Sequence, residues 1–121
     1  MANLNQKVAY RDHQDAAAAG STAEVNLTVQ EPYRRVFVSH VAAKNNTSAA
    51  ATCYVYIRSG GALYHLTTLT LTTAGTWYSD KVQVWVYAGE ELNFAFSAVS
   101  ASDRLVAAAC GEAEYVAVTA A

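Results

Sequence analysis

From Tyr33 to Val118, apolar and polar residues alternate in one short run after another, with clusters of Gly, Ser, Thr, Asn and Asp between the runs. A period of two places every second side chain on the same face of an extended chain, so each run reads as a strand buried on one side. Glu24 to Gln30 opens the series, with Val25, Leu27 and Val29 against Glu24, Asn26, Thr28 and Gln30. Glu31 and Pro32 break it. Arg34 to Ala43 places Val36 and Val38 on one face and Phe37 and Val41 on the other, the mark of a strand covered on both sides. Lys44 to Ser48 is a turn cluster. Ala51 to Arg58 then alternates cleanly: Cys53, Val55 and Ile57 inward, Thr52, Tyr54, Tyr56 and Arg58 outward.

The pattern continues after the turn at Ser59, Gly60 and Gly61. Along Ala62 to Leu71 the inner face is contested by Leu63, His65 or Leu66, Leu69 and Leu71, a conflict that a bulge resolves. Thr76 to Tyr87 reads as two short strands split near Ser79 and Asp80, with Val82, Val84 and Val86 facing one way and Gln83, Trp85 and Tyr87 the other. Leu92, Phe94 and Phe96 point inward on the next run. Arg104 to Val118 closes the series, with Gly111 as a bend or bulge. No segment requires a helix. Seven or eight strands at spacings of about 8–12 residues predict an all-β chain, a single antiparallel β-sandwich that is jelly-roll-like or Ig-like. Spacing alone does not choose between these topologies.

The 121 residues suit one domain. Composition divides it into an extended N-terminal arm, residues 1–21, and a sandwich, residues 22–121. In the arm Leu4, Val8 and Tyr10 are nearly the only sizeable apolar groups. It reads either as a tail without fixed structure or as an arm that packs on a neighbour through those three anchors, and the second is the expectation. Only 15% of the residues are charged, against about 25% in an average soluble domain, which leaves a neutral surface suited to lasting contact with neighbours. A net charge of −2 provides no basic footprint for nucleic acid. No apolar run approaches the ~18 residues of a membrane span, and the first residues lack the apolar stretch of a secretory signal, so synthesis in the cytoplasm is expected.

Chemistry is hard to place in this pattern. The adjacent Glu90 and Glu91 would face opposite ways on a strand. Glu112 and Glu114 share a face and are expected to pair with Arg104 or Arg58. His13, His40 and His65 have no metal-ligand spacing, and no motif calls for a cofactor. Cys53 and Cys110 read as two buried free thiols, with a disulfide open only to neighbouring strands. No catalytic set emerges, and the expectation is a non-enzyme. The outward residues Tyr54, Tyr56 and Arg58, and Trp85 and Tyr87, are of the types that dominate protein interfaces. Those faces could pack on the same chain, on another subunit, or on a host surface glycan through aromatic stacking at Trp85.

The order of these runs also carries a resemblance. Val36 to Val41, the turn at Lys44, Asn45 and Asn46, Ala51 to Arg58, Ser59 to Ala62, Val84, Tyr87 to Phe94, and Ala109 to Glu114 follow one another in a pattern that resembles small β-sandwich virion proteins of tailed bacteriophages. The likeness spans about Tyr33 to Tyr115 and excludes the arm. It implies a capsid decoration or cement protein on the outer head, assembled as an oligomer such as a homotrimer. The major capsid protein and its own copies would be its partners. A neck, tail or fibre part is the structural alternative, and a glycan-binding host-attachment module the alternative of another class. Under the lead reading, deleting residues 1–21 abolishes particle binding and leaves the domain folded.

Overall fold

The computed structural model describes residues 7–30, 33–49 and 51–115. Eight strands follow in order: β1 (Lys7–Ala17), β2 (Thr22–Thr28), β3 (Tyr33–Asn45), β4 (Ala51–Ser59), β5 (Ala62–Leu71), β6 (Tyr78–Tyr87), β7 (Glu91–Ser97) and β8 (Arg104–Tyr115). They form two four-stranded sheets, β1-β8-β3-β6 and β2-β7-β4-β5, with antiparallel pairing throughout. The chain is thus an all-β sandwich. Among the described residues no helix is long and apolar enough to cross a membrane.

The pairing is nested. β1 lies beside β8, β2 beside β7, β3 beside β6 and β4 beside β5, so the first half of the chain meets the second half in reverse order. The innermost pair is a hairpin closed by Gly60 and Gly61 at φ +57° and +85°. Two consecutive positive φ values are what a two-residue hairpin turn with the right twist demands, and glycine reaches them without steric cost. The two inner faces meet in a core of Val36, Val38, Val55, Val86, Phe94 and Phe96, all essentially sealed from water. Burying a side chain of this size contributes about 1.5–3 kcal/mol.

Register explains where strict alternation fails. β3 shifts register between Val38 and His40 against both of its neighbours: Ser39 is an extra residue against β8, while against β6 the extra residue lies on β6, where Val82 and Gln83 stand opposite Ser39. The shift turns Val41 to the interior beside Val36 and Val38, where uninterrupted alternation had placed it on the opposite face with Phe37. Gln83, across on β6, takes φ +54° at the same irregularity. β6 runs unbroken from Tyr78 to Tyr87, so the expected split near Ser79 does not occur. Along β5, Val55 pairs with Thr67 and Tyr56 with His65, which leaves Leu66 as the bulged residue. That settles the contest for the inner face: Leu69 and Leu71 are buried, and Leu63 turns outward at 48% exposure.

The largest correction concerns residues 1–21. Lys7–Ala17 is not a separate arm: it is β1, an edge strand zipped to β8 from Lys7 opposite Glu114 to Ala17 opposite Arg104. Its low apolar content fits an edge position. Ladder hydrogen bonds hold the strand, and only its inward side chains, Tyr10 above all, join the core. Leu4 lies outside the described residues. At the end of the sandwich where β1 turns into β2, buried Asp103 ties the loops together. It accepts hydrogen bonds from Asn45 Nδ2 (2.9 Å), Ser48 Oγ (2.7 Å) and the Ser100 backbone N–H (2.8 Å). These donors hold its carboxyl below the usual carboxylate range, the backbone donor most strongly.

Candidate interaction surfaces

The outer face of the first sheet carries a fixed aromatic platform. Alternation on β6 sends Trp85 and Tyr87 outward, 37% and 46% exposed. β3 supplies Arg35 and Phe37 directly across the ladder from Tyr87 and Trp85. Phe37 meets the Trp85 ring edge-on at 5.2 Å, and the Arg35 guanidinium carbon lies 3.9 Å from the centroid of that ring. Glu114, on β8, accepts two hydrogen bonds from Arg35, at 3.3 Å from Nε and 3.2 Å from Nη2. This two-point contact fixes the guanidinium plane. Arg34 approaches the same carboxylate at 3.9 Å, so Glu114 is nearly sealed although it points outward. Its partners are therefore Arg34 and Arg35, and that of Glu112 is Lys7 at 3.9 Å, in place of the expected Arg104 and Arg58.

The outer face of the second sheet is different in kind. Tyr54, Tyr56 and Arg58 point outward from β4, as the alternation requires, with Tyr54 37% exposed. Together with Leu63, Glu24, Asn93 and Ala95 they line a shallow depression of about 500 Å³. Arg58 spans it, donating to Glu24 at 2.9 Å and to Glu91 at 3.1 Å. Asn93, on β7, is 1% exposed and donates through Nδ2 to Glu24 (2.6 Å) and to Asn26 (2.7 Å). Those donors, Asn93 first and Arg58 after it, keep the Glu24 carboxyl below its ordinary value. Asn93 Oδ1 is buried and accepts no hydrogen bond from the described residues. A buried acceptor left unmatched costs about 1–3 kcal/mol.

The candidate residues therefore divide among several places. Tyr54, Tyr56 and Arg58 are brought together on one face, and Trp85 and Tyr87 on the opposite face. Val8 and Tyr10 turn toward the interior of their own sandwich, Tyr10 packing edge-on against Tyr33 at 5.9 Å. Arg35, Phe37, Glu24, Asn93 and Leu63 complete the two surfaces and were not singled out from the sequence. Except for Leu63, which lies across the β4-β5 hairpin from Arg58, they are cross-strand neighbours from distant parts of the chain, and only register brings them in. Phe37 alone left a trace, as an apolar residue on the second face of its strand. Both cysteines are free: Cys53 is buried inside the second sheet, where burial pushes its thiol up, while Cys110 is half-buried on the first. Among the described residues no group of three or more His, Cys, Asp or Glu side chains could hold a metal ion.

No protein-family model matches the chain, and no curated protein matches it in sequence. Solved structures do match in shape. A chain of Bacillus endospore appendages, a family of disulfide-linked pili, superposes with a TM-score of 0.53 at 14% identity, over 93% of this chain and 89% of that one. PirA gives a TM-score of 0.53 at 10% identity, over 83% of this chain and 93% of its own. A chain of the acid-stable capsid of Helicobacter pylori bacteriophage KHP30 gives 0.50 at 11% identity, over 98% of this chain and 99% of that one. At such identities the likeness is one of fold: an all-β architecture that this chain shares with chains of spore pili and of a phage capsid.

Proposed function

We propose that this chain is a non-enzymatic virion structural protein of a bacteriophage, a capsid decoration protein that binds the outer surface of the assembled head and stabilises it. The observation that carries the reading is the platform of Arg35, Phe37, Trp85 and Tyr87. Aromatic residues and arginine supply most of the energy of protein contacts, at about 2 kcal/mol or more for each well-placed anchor. Here the arginine is already held by Glu114 and stacked on Trp85, so little side-chain freedom is lost on docking. The nested strand order supports the same reading. Eight strands in two antiparallel sheets suit a jelly roll, an eight-stranded architecture used by viral capsid and lectin domains. The likeness to the KHP30 capsid chain extends over nearly the whole of both chains and supports it further.

Decoration works by mass action. A protein that binds only the closed shell shifts the equilibrium toward it. Assembly into a homotrimer multiplies weak contacts to the major capsid protein into avidity. The test is co-sedimentation of purified protein with undecorated particles. Replacing Trp85 and Tyr87 by alanine should lower particle affinity at least tenfold while the circular dichroism spectrum stays unchanged. Full binding by this folded variant overturns the reading. Counting copies per particle separates decoration, with hundreds, from a neck or tail part, with a dozen or fewer.

A further inference from the structure

We propose that the depression on the outer face of the second sheet is a binding site for a neutral saccharide. This inference stands apart from particle binding, because it uses the opposite face of the sandwich and none of the platform residues.

The geometry begins with Asn93. Its amide nitrogen is committed twice, to Glu24 and to Asn26, both on β2. Turning the amide over would set its oxygen against the Glu24 carboxylate and the Asn26 carbonyl oxygen, so the orientation is held by its neighbours. The unmatched oxygen belongs to a residue that lines the depression together with Tyr54 and Tyr56. What this oxygen lacks is a donor.

The surroundings narrow the class of donor. An anion would meet Glu24 and the amide oxygen, and a cation would meet Arg58, which already spans Glu24 and Glu91. The remaining choice is an uncharged, hydroxyl-rich molecule. Tyr54 supplies the apolar contact. Its cross-strand neighbours are Ala95 and Thr68, both small, which leaves the ring open for the face of a sugar. The volume of about 500 Å³ falls within the range of about 300–1,000 Å³ usual for small-molecule sites. An extended peptide is a poorer occupant. It binds sheets by adding to an edge, whereas β4 and β7 are the two inner strands of this sheet. Trp85, weighed from the sequence as one possible sugar-stacking group, is a poorer site as well, since Arg35 covers one of its faces. Tyr56 stands directly across the ladder from Asn93, is half-exposed and packs edge-on against His65 at 5.5 Å, so it borders the depression from a fixed position.

The full chain is applied to an array of neutral and sialylated oligosaccharides, and the hits are titrated by calorimetry. The expected result is binding to neutral glycans, weakened at least tenfold by Tyr54→Ala, retained by Tyr54→Phe and unchanged by Trp85→Ala. The side-chain amide resonances of Asn93 should shift on addition of the bound oligosaccharide. Tyr54 is a surface residue, so its alanine variant keeps its fold. Absence of glycan binding, binding of sialylated glycans alone, or a Tyr54→Ala variant with unchanged affinity overturns the proposal. Because Trp85→Ala should leave sugar binding intact, failure here and failure of the particle-binding reading are told apart.

Discussion

Single residues carry constraints here that their types alone do not reveal. Gly111 does not sit in a turn. It lies where β8 passes so close to β3 that a Cβ would strike the carbonyl of Phe37 and crowd the Ser39 amide. Gly111→Ala must push two central strands apart, and we expect a loss of about 1–3 kcal/mol, measured by urea unfolding. An unchanged midpoint would show that the β3 bulge absorbs the methyl group. Asp103 is a different case. Its carboxyl is held below the ordinary value of about 3.9, so the stabilisation it provides is present above that pH. That stabilisation is lost as the pH falls through the lowered folded value. Wild-type protein should therefore lose stability below about pH 4, and Asp103→Asn should be less stable at pH 7 with a flatter acid limb. Melting curves from pH 7 to pH 2 check this, and parallel limbs would exclude Asp103 as the source. The bulge site was legible at Gly111, a glycine inside a strand pattern. The role of Asp103 was not, because its partners Asn45 and Ser48 are more than fifty residues away.

At the level of elements, alternation located β2, β4 and β7 well, since none of them carries an extra residue of its own. It failed where register changes. An extra residue at Ser39 reverses which face Val41 occupies, and nothing in the local pattern announces that. β1 failed for another reason. An edge strand is held by backbone hydrogen bonds, which every residue type can make, so its sequence has little need of an apolar face. The structure also revises the expectation for a truncated chain. Deleting residues 1–21 removes β1, uncovers the outer edge of β8 and takes Tyr10 from the core. The truncated protein should melt ~10 °C lower or fail to fold, the equivalent of about 2 kcal/mol or more. Thermal unfolding followed by circular dichroism decides it. A truncated domain as stable as the full chain would return β1 to the status of a detachable arm.

At the scale of the whole molecule, topology sets what each surface can do. Nested pairing places β4 and β6 in opposite sheets, so the outward residues of β4 and those of β6 end on opposite faces. One face then carries the rigid Arg35 and Trp85 platform, and the other carries the open depression around Asn93. The proposed decoration role uses that division, with one side turned to the particle and one to the surroundings. The sequence by itself determined that the chain would be all β and, where alternation runs unbroken, which side chains would point inward. Both follow from a period of two, which is local. Which outward residues would become neighbours was decided only by the tertiary structure, because cross-strand partners such as Arg35 and Glu114 meet through pairing between the two halves of the chain, and no local pattern records that register.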